Sequence, residues 1–124
     1  EFPRINETLS GSKHRFGYTL GFGGGYLTQG ASEMSTSLYK HDYLTGSSVV
    51  APLDPDLLIG EMCFVPNAMA GAEDDGVLMG YGYHRGRDEG QLLLLDAQTC
   101  EPMATVHLPQ RIPMGFHGNW APTA

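Results

Sequence analysis

Short runs of β-favouring residues, each closed off by Gly, Pro, Asp or Asn, recur along the whole chain. No stretch carries apolar residues at i, i+3, i+4 and i+7 over three helical turns. The pattern excludes a helical domain and predicts an all-β fold of antiparallel meanders. It places strands near Phe16 to Phe22, Ser37 to Asp42, Ser47 to Ala51, Met62 to Pro66, Val77 to Tyr83, Gln91 to Asp96 and Met103 to Leu108. The 17 glycines and 8 prolines among 124 residues fall between apolar runs, so they read as turn residues and not as a mark of disorder.

Three turns stand out: Leu44-Thr45-Gly46, Glu73-Asp74-Asp75-Gly76, and the polar tip from His84 to Gly90. From Gly76 to Pro109 the order of strand, loop, strand, turn, strand predicts a three-stranded meander. Its central run, Leu92-Leu93-Leu94-Leu95, reads as buried on both faces. A weak internal repeat points to a modular design. Asp42-x-x-Thr45 before Val49-Val50 recurs 54 positions later as Asp96-x-x-Thr99 before Met103-Ala104. A hairpin turn joining two strands is the unit that stacked propeller blades use.

Charge and length narrow the function. Fourteen acidic residues against seven basic ones give a formal charge of −7, which repels a phosphate backbone, so nucleic-acid binding is not expected. No window reaches the 18 or more apolar residues of a membrane-spanning helix, and no basic stretch followed by an apolar run opens the chain. A cytoplasmic protein is the expectation. Cys63 and Cys100 stand far apart without zinc-like spacing and read as free thiols. Glu1-Phe2-Pro3-Arg4 reads like the interior of a longer sequence.

Three separated segments then carry a specific signal in a fixed order. They are Glu1-Phe2-Pro3-Arg4-Ile5-Asn6; Gly60-Glu61-Met62-Cys63-Phe64-Val65-Pro66 followed by Ala72-Glu73-Asp74-Asp75-Gly76; and Pro113-Met114-Gly115-Phe116-His117-Gly118-Asn119-Trp120. In these the chain resembles the closing part of the carotenoid cleavage oxygenase family, which includes carotenoid, apocarotenoid and lignostilbene dioxygenases and a retinoid isomerohydrolase. The resemblance spans nearly the whole chain but only the last portion of a family member. It departs at Asn6, where relatives can carry an acid, and at Met62 and Cys63, which replace a Pro-containing stretch.

The resemblance implies that residues 1–124 are the C-terminal portion, a fragment, of a seven-bladed β-propeller. It implies Fe(II) on the propeller axis, held by four histidines from different blades. His117 matches the last of the four, and Glu1 and Glu61 match carboxylates that orient such ligands. The other three ligands lie outside the matching segment. An all-nitrogen set suits a divalent first-row metal, and a bound imidazole needs a partner for its second N–H. The implied reaction is oxidative cleavage of a conjugated C=C bond of an apolar carotenoid, apocarotenoid or stilbene. Both atoms of O2 enter the two carbonyl products without an external reductant. Ester cleavage with double-bond isomerisation is the variant known from the retinoid branch.

On residue type alone, a single His between glycines is more often a loop residue than a ligand, and Glu1 and Glu61 read equally well as a frayed end and a solvated acid. Under the resemblance, Gly115 and Gly118 would let the backbone approach the axis, Trp120 would anchor the segment by packing, and Phe116 would line the substrate site or join the core. His14, His41, His84 and His107 match no ligand: His84 reads as part of a solvated charged loop, His107 as a partly buried strand residue. A rival reading makes the isolated chain a non-catalytic β-meander, a remnant or an interaction module, because one histidine cannot hold iron in a catalytic geometry. Either way a partial propeller has open strand edges through which it is expected to self-associate.

Overall fold

The computed structural model describes residues 1–23, 34–113 and 115–123. Among these there is no α-helix; eight strands form two antiparallel sheets. The first contains β1 (Phe16–Gly23), β2 (Ser35–Asp42) and β3 (Ser47–Val50), paired in that order. The second contains β4 (Leu57–Ile59), β5 (Cys63–Pro66), β6 (Gly76–His84), β7 (Glu89–Asp96) and β8 (Pro102–His107). Here β4 and β5 pair with successive parts of β6, which continues through β7 to β8. None of the described elements is a helix long and apolar enough to cross a membrane.

The predicted strands are all present, and the Gly76 to Pro109 meander forms as β6, β7 and β8. β4 is the strand that sequence periodicity does not show. Its three residues, Leu57, Leu58 and Ile59, are all buried, so they carry no polar alternation and are too short to register as a run. The leucine run is corrected in its burial. Leu93 and Leu95 are buried, whereas Leu92 and Leu94 are only half-buried. An antiparallel sheet turns one face to the core, and the other face of β7 is partly open.

The two sheets share one core. Tyr18, Leu20 and Leu38 of the first pack with Ile59, Phe64, Leu78, Leu93 and Leu95 of the second and with Met62 of the link between β4 and β5. Polar ties cross the same boundary. Buried Tyr18 donates its hydroxyl to Ala97 O at 2.8 Å. Lys40 of β2, buried, pairs with Asp74 and donates to Gln98 O at 2.8 Å, which satisfies a charge that would otherwise be costly inside. The loop before β6 also caps β1: the Glu73 carboxylate accepts from the backbone N–H of Arg15 (2.8 Å) and of Phe16 (2.7 Å).

Two histidines differ from their expected settings. His84 is buried, not solvated, because it closes β6 opposite Leu57 and turns its Nε2 to Asp54 at 3.4 Å. His107 is exposed, because β8 is an edge strand with every residue open to solvent; it pairs with Glu89. His41 bridges two hydroxyls, Thr19 Oγ1 at 2.8 Å and Ser48 Oγ at 2.7 Å.

Candidate metal-ligand site

Glu61 lies in the short irregular crossing, residues 60–62, between β4 and β5, and a glycine on the strand beneath seats it. A Cβ on Gly80 would lie 2.6 Å from the Glu61 carbonyl oxygen and 2.5 Å from the Met62 sulfur, so a side chain there would lift the crossing off β6. The Glu61 side chain is 6% exposed, and both carboxylate oxygens are engaged. Arg4 Nε donates to Oε1 at 2.9 Å and the Gly118 N–H donates to Oε2 at 2.7 Å. His117 Nδ1 lies 3.5 Å from the same Oε2. Burial alone would push this carboxyl up. The Arg4 and Gly118 hydrogen bonds, the Arg4 charge and His117 outweigh burial and hold it below its ordinary value.

Arg4 works as a clamp between segments remote in sequence. Its guanidinium also reaches Glu7 and the Gly118 carbonyl, so the carboxylate on the sheet and the backbone beside His117 are tied to one cation. Arg4 itself is fixed by exchanging backbone hydrogen bonds with Tyr18 of β1. Sequence reasoning assigns a role neither to Arg4 nor to Gly80. The signal available for Arg4 is a lone cation inside a segment that supplies a carboxylate; for Gly80 there is none, since the contact depends on how the crossing folds back.

Glu1, Glu61 and His117 are brought together around one hollow, although 116 positions separate the first from the last. Phe2, Phe22 and Phe116 supply its apolar wall. Glu1 is itself exposed, and its backbone is held on β1 by Leu20. Phe116 is 60% exposed, so it belongs to the wall of the hollow and not to the core. Trp120 is 43% exposed. A Cβ on Gly115 or Gly118 would meet nothing within 4 Å, while the Gly118 backbone is held at hydrogen-bond distance on both sides, its N–H by Glu61 and its carbonyl by Arg4. Met114 lies outside the described residues.

His117 offers one imidazole. Glu61 beside Nδ1 is the arrangement that fixes a tautomer and leaves Nε2 for a metal ion. Among the described residues no group of three or more His, Cys, Asp or Glu side chains is gathered so as to hold a metal ion. The residues therefore fit the donation of one ligand to a shared centre and do not fit a complete centre.

Two blade-like antiparallel sheets, with a carboxylate-oriented histidine at their end, define the class as a β-propeller segment. A family model described as retinal pigment epithelial membrane protein (RPE65) matches residues 1–122. A carotenoid cleavage oxygenase of Mycobacterium tuberculosis (strain ATCC 25618 / H37Rv) is 75% identical over 123 residues, 99% of this chain and 25% of that protein. An apocarotenoid-15,15'-oxygenase of Synechocystis is 33% identical over 125 residues, with the same two coverages. A crystal structure of cobalt-substituted Synechocystis apocarotenoid oxygenase superimposes with a TM-score of 0.79 at 29% identity, over 99% of this chain and 25% of that one. The chain belongs to the RPE65 family of carotenoid cleavage oxygenases. It spans about a quarter of the length of these relatives.

Proposed function

We propose that residues 1–124 are the C-terminal portion of a non-haem Fe(II) dioxygenase that cleaves a conjugated C=C bond of a carotenoid, apocarotenoid or stilbene to two carbonyl products. The observation that carries this reading is the His117 Nδ1 to Glu61 Oε2 contact of 3.5 Å, with Glu61 buried and clamped by Arg4. The iron, when bound, supplies the centre at which O2 is activated beside the alkene. His117 supplies one nitrogen through Nε2. Glu61 holds the Nδ1 proton, and its negative charge, with that of Glu1 on the same hollow, offsets a cation that neutral histidines leave uncompensated. Phe116, Phe2 and Phe22 offer an apolar wall for a conjugated chain and keep water from it.

The isolated chain is proposed to be inactive. One imidazole cannot set the geometry of a multidentate site, and affinity falls steeply as ligands are lost. The lack of any three-residue ligand group among the described residues favours, for the isolated chain alone, a second reading as a non-catalytic meander.

Anaerobic Fe(II) titration, followed by product analysis with a stilbene and an apocarotenal, tests the proposal. The isolated chain should bind iron weakly and cleave nothing, while the full-length protein should yield paired carbonyls. There, His117→Ala should abolish turnover, and Glu61→Gln should weaken iron retention by about 10- to 100-fold, since it perturbs orientation and not a bond. Tight stoichiometric iron in the isolated chain, or full activity in His117→Ala, would overturn the assignment.

A further inference from the structure

Phe2 holds a backbone conformation that glycine adopts freely and bulky residues rarely do, with φ +49°. Its cause is a mismatch of register on β1. Glu1 and Leu20 exchange both backbone hydrogen bonds, at 2.8 and 2.9 Å, and Arg4 and Tyr18 exchange theirs at 2.8 and 2.7 Å. Between these two pairs the terminal segment has Phe2 and Pro3, while β1 has only Thr19. One extra residue on one side of an antiparallel pair is a β-bulge, a device that re-aims a side chain. Pro3 suits the bulge because it has no N–H to leave unpaired.

The bulge sends the Phe2 ring toward His117. The two rings meet edge to face, with centroids 5.4 Å apart and an interplanar angle of 87°. Phe22 of β1 backs Phe2 in the same manner, at 5.9 Å and 81°. The His117 side chain is otherwise 77% exposed on an irregular segment, next to a glycine. A carboxylate at Nδ1 fixes which nitrogen carries the proton but leaves the ring free to rotate about the N···O line. A second contact, on the face or edge of the ring, removes that freedom.

We infer that Phe2 is a positioning residue for His117: the Phe2–Pro3 bulge presses the aromatic ring on the imidazole, and with Glu61 at Nδ1 this fixes the direction of Nε2. The inference rests on the reading of His117 as a metal ligand and goes beyond it, because it assigns the aim of that ligand to a residue that itself touches no metal. The strained backbone at Phe2 is retained because relaxing it would withdraw the ring. Phe22 is the backstop, in contact with Phe2 from β1.

The test uses the full-length protein loaded with Co(II), whose d–d absorption reports ligand geometry and whose titration gives affinity without turnover. Phe2→Leu and Phe2→Met, which stay apolar but lose the ring, should each shift the d–d bands and weaken Co(II) binding about 10-fold, while Phe2→Tyr, which keeps the aromatic edge, should retain the native spectrum. His117→Ala is titrated in parallel. If His117→Ala loses the metal but the spectrum and affinity of Phe2→Leu and Phe2→Met stay native, the positioning role is wrong and the ligand reading stands. If His117→Ala leaves spectrum and affinity unchanged, both fall together.

Discussion

Asp42 and Asp96, 54 positions apart, hold equivalent turns in the two sheets. Asp42 Oδ1 accepts from the N–H groups of Leu44 (3.0 Å) and Thr45 (3.4 Å) between β2 and β3; Asp96 Oδ1 accepts from those of Gln98 (2.7 Å) and Thr99 (2.9 Å) between β7 and β8. The backbone closes each turn alike, with Gly46 N–H on Asp42 O at 2.8 Å and Cys100 N–H on Asp96 O at 2.7 Å. The closing residue is left-handed in both, at φ +69° for Gly46 and +61° for Cys100. The repeat read in the sequence is thus one hairpin device used twice. Asp96→Ala should cost about 1 to 2 kcal/mol, since two backbone N–H groups lose a charged acceptor; chemical denaturation measures it.

Asp42 predicts a pH dependence of stability. The Arg15 guanidinium, at 2.9 and 2.7 Å, is the chief cause, and with the Leu44 and Thr45 donors it outweighs burial to hold the Asp42 carboxyl well below the usual carboxylate range. A depressed native pKa contributes stability that is fully present above the unfolded value, about 4, and is lost as pH falls through the native one. The gap in melting temperature between the native sequence and Asp42→Asn should therefore be widest at neutral pH and should narrow below about pH 4. A gap that stays flat or grows on acidification would show that the Arg15 contact is not maintained.

Gly80→Ala should separate the seat of Glu61 from its chemistry. The new methyl would collide with a backbone carbonyl, which cannot swing away as a side chain can, so the Glu61–Met62 crossing must rise off β6. A cost of about 1 to 3 kcal/mol is expected from overpacking, with loss of iron retention in the full-length protein although no metal-facing group is changed. Denaturation and metal analysis of the same preparation check both halves.

How much of this could be read beforehand divides along a physical line. Strands such as Phe16–Gly23 and Glu89–Asp96, and turns such as Leu44-Thr45-Gly46, declare themselves because their pattern is local. Leu57–Ile59 does not, since a short strand buried throughout has no alternation to show. The positions of Glu61 and His117 followed from the resemblance, while what holds them did not. Arg4, Gly80 and the Phe2 bulge act across 57, 19 and 115 positions respectively, and contacts of that range leave no period in a sequence. His84 misleads for the opposite reason: the loop just after it, Gly86 to Asp88, is polar and exposed, while its own side chain is carried inward by the last pleat of β6.

The remaining prediction concerns the edges of the two sheets. β3 and β8 each have a partner on one side only, and all their residues are exposed, including Val49 and Val50 on β3 and Met103 and Val106 on β8. An edge strand presents unpaired backbone groups that can template another chain, and apolar side chains beside them add area to bury on contact. β8 is the better template, with six residues against four; among the described residues its side-chain ion pair is that of the terminal His107 with Glu89. The isolated chain should therefore self-associate as its concentration rises, and light scattering should show mass growing beyond the monomer. Placing charge on the edge, as Met103→Lys with Val106→Lys, should restore a monomer, because like charges on approaching edges repel and lysine is the residue that natural edges use for this purpose. The same pair of substitutions in the full-length protein should instead destabilise it if β8 is covered there. A native chain that stays monomeric at high concentration would show that these edges are not adhesive.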